Sequence, residues 1–254
     1  VQSMKGWSPE RYGSLDVTNG GKVDKDDLSF DIFSAVGRAI HRKGEPTKSG
    51  QLDILGGLRA ELILATGHSQ SANRLVAYLN HMHPLDPIYD GFMIHGGGAR
   101  IRDDLKVQVF KIMAESDMIW QAAIRQPNTD TFHYWEVAGT SHVDIHFEME
   151  YGKVRNSLLG KPDEKVTLRT PDCDFPAFSR VPFSDTLNSA YEHLHHWVRD
   201  HTPPPAAEPL VILQIKPNLV LGRDEYGNAL GGIRLAAHEV HTAKNSGMNP
   251  GTYR

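Results

Sequence analysis

Residues 63–79 read "ILATGHSQSANRLVAYL". A short apolar run ends at Gly67, and a helical pattern starts within a few residues. Between them lies Gly67-His68-Ser69-Gln70-Ser71. A serine at a strand-to-helix junction has two readings. It can cap the helix, since a hydroxyl satisfies one of the free N–H groups of the first turn. It can also sit on a nucleophile elbow, a strained turn that projects the hydroxyl above a sheet. The elbow needs small residues two positions either side of the serine, because strand and helix pack closely there. Gly67 meets this; Ser71 departs from the usual glycine but is small.

The sequence downstream of Ser69 favours the elbow. A serine hydroxyl is a weak nucleophile at neutral pH and needs a base, which in turn needs an acid to orient it. In elbow enzymes these follow in the order serine, acid, histidine. "VFKIMAESD" reads as a strand ending in two acids, Glu115 and Asp117. "YWEVAGTSHVD" reads as a strand followed by His142. Each acid alone could be a loop cap, and a lone histidine carries little information. Placed together in this order, they point to a triad of Ser69, His142 and one carboxylate. Asp117, three residues past Ala114, fits the commoner spacing; Glu115 is the alternative. The backbone N–H of Gln70 is the expected oxyanion donor, because the residue after the nucleophile faces the developing charge.

Around this centre, apolar strands alternate with helical segments. "AELILATG", "GFMIHGG", "KVQVFKIMAESD" and "TFHYWEVAG" read as strands, and "SFDIFSAVGRAIHRKG", "SANRLVAYLNHMHP" and "MIWQAAIRQP" as helices, the first stopped by Gly44. Residues 1–28 are polar and glycine-rich and read as loop. Residues 146–183 read as an irregular excursion. Its Phe147, Tyr151, Phe175 and Phe178 either line or cover a pocket as a lid, or pack on one another at the surface. "SDTLNSAYEHLHHWVRDHTPPP" is the clearest helix, with Ser184 or Asp185 expected as its cap and Pro203 to Pro205 ending it. "LVILQIKPNLVLGRDEYGNALGGIR" reads as one or two strands with a Gly-Asn turn. The alternation predicts an α/β class, a mostly parallel sheet with helices on both faces.

Composition narrows the function. The net charge of -4, with no basic block, gives no footprint for nucleic acid. No run approaches the roughly 20 apolar residues of a membrane span. The single cysteine, Cys173, excludes a disulfide within the chain and reads as structural. His95-Gly96-Gly97-Gly98 reads as a loop near the site mouth. The histidines of "HVDIH" and "HLHH" suggest metal ligands, but no carboxylate-rich motif completes a site. No metal or cofactor is expected.

The stretches "GWSPERYGSL", "ATGHSQSANRLVAYLN", "YDGFMIHG", "AESD", "RQPNTDTFHYWEVAGTSHVD" and "RDEYGNALGGIR" resemble the α/β-hydrolase superfamily. They are most similar to the family described as alpha/beta hydrolase domain-containing proteins. The resemblance implies a serine hydrolase fold with Ser69, Glu115 or Asp117, and His142 as its triad. It also implies that residues 1–254 are the C-terminal portion of a longer domain. The N-terminal strands and the second oxyanion donor would then come from an upstream segment or a partner chain. The expected reaction is hydrolysis of a small-molecule carboxylic ester. An amidase, lactonase or acyltransferase on the same triad, or a non-catalytic binding module, are the alternatives.

Overall fold

The computed structural model describes residues 2–23, 25–40, 54–166, 179–240 and 243–247. The readings of Gly44, Cys173, Phe175 and Phe178 lie outside these residues. The chain divides into two compact units, 1–63 and 64–254.

The first unit corrects the reading of residues 1–28 as loop. Two short helices lie there, α1 (Gln2–Trp7) and α2 (Pro9–Tyr12). Pro9 opens α2 at a position where its missing N–H costs nothing. Trp7 stacks on Tyr12 with ring centroids 6.0 Å apart. The apolar spacing of "SFDIFSAVGRAI" gives α3 (Ser29–Ile40).

The second unit is built on β1 (Leu64–His68), α4 (Gln70–His81), β2 (Gly91–His95), β3 (Gln108–Ala114), α5 (Met118–Gln121) and β4 (Phe132–Val137). The four strands are parallel, in the order β1-β2-β3-β4. Among the described residues β1 is an edge of this sheet, and no strand precedes it. Every residue of β4 is buried, and so is every residue of β2 except His95. Strands buried along their whole length fit a sheet covered on both faces.

The rest of the unit comprises α6 (Ile145–Leu158), α7 (Phe183–Asp200), β5 (Ile212–Gln214), β6 (Val220–Leu221) and α8 (Ala236–Glu239). On one face of the sheet, Met93, Phe110, Ile112 and Trp135 pack against Phe183, Ala190, Leu194 and Trp197 of α7. Side chains alternate along a strand, so Ile94 points to the other face. There Ile94 and Val76 of α4 approach Gly98 together. The tail strands β5 and β6 pair antiparallel, and the expected turn forms at Gly227-Asn228, with Gly227 at φ +83°. The chain then returns to the sheet, where Ile233 bridges Val137 in parallel.

Two local readings are overturned. Residues 145–158 are not irregular but form α6. The face this helix buries carries Gly152 and Asn156 rather than large apolar residues. Nor do Ser184 and Asp185 cap α7. Its first N–H, from Phe183, donates instead to Asp144 Oδ2 at 3.0 Å. Asp144 Oδ1 accepts from Phe147 N at 2.7 Å and caps α6 as well. One buried carboxylate serves both helix starts, a partner 39 residues distant in sequence that no local pattern reveals.

Candidate active site

The parallel strands deliver their last residues to one end of the sheet. β1 finishes at His68, and α4 begins at Gln70, leaving Ser69 alone in the turn. Ser69 adopts φ 58°, ψ -119°. A positive φ in a non-glycine residue costs on the order of 1–3 kcal/mol and persists only where its surroundings impose it. Here they do. The Ser69 N–H donates to His95 O at 3.1 Å, and a Cβ on Gly67 would lie 2.8 Å from the Ser71 carbonyl oxygen. Strand and helix approach closely enough that only glycine fits at position 67. Among the described residues nothing bonds the Ser69 hydroxyl, and nothing accepts from the Gln70 N–H at the start of α4.

β3 ends at Ala114, and a tight turn, Glu115–Asp117, follows. Both acids are buried, but they face different partners. Asp117 Oδ2 accepts from Ala114 N at 2.8 Å, which fixes the carboxylate. Its Oδ1 lies 2.7 Å from His142 Nδ1. The His142 backbone N–H donates to Ser116 Oγ at 2.7 Å, tying the histidine loop to the acid turn. The hydrogen bond to Asp117 holds the His142 imidazole above the ordinary histidine value, and burial only partly opposes it. An anion at Nδ1 keeps the proton there, so Nε2 presents a lone pair. Such an imidazole can take a proton from a nearby hydroxyl.

Glu115 goes elsewhere. Its Oε1 pairs with Arg223 Nη2 at 2.8 Å, and its Oε2 accepts from Gly139 N at 2.6 Å. The structure therefore brings Asp117, not Glu115, to His142. Removing the cation would leave a buried carboxylate unpaired, which costs about 3–5 kcal/mol. Arg223→Met should accordingly lower the urea midpoint strongly, by about 3 kcal/mol of stability or more. An unchanged midpoint would show that the pair is not holding the two segments together.

Sequence reasoning gave no role to two histidines beside the site. His68 and His95 end adjacent strands in register. Their rings stack at 4.7 Å, and His68 stacks on His142 at 4.5 Å. The signal was the register: each is the last residue of its strand. The glycine loop after His95 lies against the Ser69 turn. A Cβ on Gly97 would sit 3.0 Å from the Ser69 carbonyl oxygen. Lys111, also unforeseen, is buried and donates to Gly98 O at 2.9 Å and Ala99 O at 3.2 Å, anchoring that loop. Burial pushes its amine down to about 8. Phe147, at the start of α6, approaches His68 with centroids 6.2 Å apart and stacks on Tyr151.

Residues of the other histidine motifs have protein partners. Asp144 of "HVDIH" is the double cap. In "HLHH", His193 meets Trp135 edge to face, and His196 pairs with Glu192 and Asp200 on the exposed side. Among the described residues no His, Cys, Asp or Glu cluster is set to hold a metal, and no helix is long and apolar enough to cross a membrane. A cavity of about 290 Å³ is lined by Arg100, Gln126 and Phe132. It lies where β3 and β4 begin, at the opposite end of the sheet from Ser69.

Comparison with known families matches residues 1–253 to a family described as "Alpha/beta hydrolase domain". Comparisons with curated proteins and with solved structures returned no match.

Proposed function

The chain belongs to this alpha/beta hydrolase domain family, and from that premise we propose a serine hydrolase that cleaves carboxylic esters. Ser69 is the nucleophile, His142 the base and Asp117 its orienting acid. One observation carries the reading: the 2.7 Å contact between Asp117 and His142 Nδ1 lies at the same sheet end as the strained Ser69 turn.

The steps follow from these positions. His142 Nε2 takes the Ser69 proton as Oγ attacks the ester carbonyl carbon. The carbonyl oxygen becomes an oxyanion, and the Gln70 N–H donates to it. The C–O bond then breaks, and the alcohol leaves with the proton from His142. Water attacks the acyl-enzyme, His142 takes its proton, and the acid departs as Ser69 regains a hydrogen. Asp117 keeps the imidazole in one tautomer throughout and stabilises the imidazolium. The open Ser69 hydroxyl is compatible with this, because catalytic hydrogen bonds often tighten only when substrate binds. Phe147 and Tyr151 form an apolar wall beside the site for one part of the ester.

A fluorophosphonate probe tests the reading. It should modify the protein once, with the phosphonyl group mapped to Ser69 by peptide mass spectrometry. Absence of labelling, or labelling at another serine, would overturn it. A panel of esters, amides and lactones then separates ester cleavage from its chemical neighbours.

A further inference from the structure

Three imidazoles lie in one stack beside a single carboxylate. His95 meets His68 with planes 17° apart, and His68 meets His142 with planes 28° apart. The backbone is shaped for this. Gly96 has φ +64°, and a Cβ there would lie 2.6 Å from His68 Cδ2 and 3.0 Å from His142 Cε1. A side chain at position 96 would drive the rings apart. Asp117 touches only the outermost ring, His142.

We propose that His68 is a positioning residue: clamped between His95 and His142, its neutral ring fixes the plane of the His142 imidazole and supports the imidazolium formed as Ser69 is deprotonated. This rests on the serine-hydrolase reading above. Asp117 holds the Nδ1 edge of His142, which leaves rotation about that hydrogen bond open. A flat ring against its face closes that freedom. The face of an aromatic ring also attracts a cation, more strongly where water is excluded.

The scheme requires His68 to stay uncharged, because a second cation would repel the imidazolium. The surroundings provide this. Burial lowers the His68 imidazole first and the neighbouring His142 lowers it further, outweighing Asp117 and a hydrogen bond to the His142 backbone, which act the other way. Burial, with His68 and His142 beside it, pushes His95 down to about 4. The groups facing His68 are His95 from β2, His142 from its loop and Phe147 from α6. Asp117 is the anion of the cluster; it bonds His142 directly and reaches His68 only through space, where it favours the charged form less than burial and His142 oppose it. The one positive charge of the stack therefore settles on the ring that Asp117 touches.

The test compares His68→Ala and His68→Phe with the wild type, using the rate of Ser69 phosphonylation by a fluorophosphonate across pH. Thermal melts check that each variant folds. His68→Ala should lower the maximal labelling rate by about tenfold, the order a stacked cation contact supplies, with little change in probe affinity. His68→Phe keeps a flat neutral ring and should recover most of that rate, with a single ionisation in its pH profile. Three results would overturn the proposal: a His68→Ala rate within twofold of wild type, a loss confined to probe affinity, or a His68→Phe variant as slow as His68→Ala in a folded protein. The last would give the imidazole nitrogens a role of their own. A wild type that does not label at Ser69 overturns the hydrolase reading and this inference with it, whereas a labelled wild type with a normal His68→Ala rate overturns this inference alone.

Discussion

Ser69→Ala should abolish ester turnover, with kcat falling on the order of a millionfold to background. The substitution removes the only atom proposed to bond to the acyl group, so no acyl-enzyme can form. The fold should survive, because the Ser69 hydroxyl supports nothing among the described residues. Relief of the strained turn is not expected, since alanine meets the same steric limits at positive φ as serine does. The measurement is turnover of an ester that the wild type cleaves, alongside a melting curve. A folded variant with substantial turnover removes Ser69 from the mechanism.

Asp117→Asn should lower kcat about ten-thousandfold while leaving the fold in place. The amide preserves size, and its oxygen can still accept from Ala114 N. What it loses is the anion that pins the proton on His142 Nδ1. The amide group can present N–H to that nitrogen, which places the proton on Nε2 and removes the base. The pH profile gives a second readout. The base works when neutral, so the hydrogen bond that raises His142 also moves the acid limb of kcat/KM above the ordinary histidine value of 6.5. Turnover should therefore rise with pH through a midpoint above 6.5 in the wild type. In Asp117→Asn the residual turnover should rise at lower pH, because the stabilising partner is gone. Glu115→Gln should leave this profile in place and act on stability instead. A wild-type midpoint well below 6.5, or a profile displaced by Glu115→Gln and not by Asp117→Asn, would reassign the acid.

The sequence revealed what depends on neighbours along the chain. Gly67 and Ser69 fix their turn by local sterics, so the strand-turn-helix junction was legible. The four core strands were legible because each is a short, mostly apolar run bounded by turn residues, although Lys111, His133 and Glu136 interrupt two of them. The choice between Glu115 and Asp117 was not, because both stand at one strand end. What separates them is Arg223, 108 residues from Glu115, and no spacing rule reaches that far. The His68 stack was hidden for a related reason. A histidine before a serine and another before a glycine loop are unremarkable until the register of β1 and β2 places them side by side. The helix α6 was legible in Phe147, Tyr151, Val154 and Leu158, which stand at helical spacing; what the sequence did not show is that this row faces solvent while the buried side is small and polar.

Asp144 gives the region around His142 a kinetic character. Its two oxygens hold the Phe147 and Phe183 amides, and the segment just after His142 holds Asp144 itself. The shared carboxylate should couple these three segments, so that they open as one unit rather than as three mobile pieces. Amide exchange reads this directly. The protons of Phe147 and Phe183 should exchange at matched rates, and Asp144→Ala should accelerate both together. Two rates that respond separately would mean that the helices breathe alone. If they are coupled, an opening of α6 wide enough for a bulky ester would also loosen His142, the proposed base, so large substrates would be taken in at the expense of the alignment needed to cleave them.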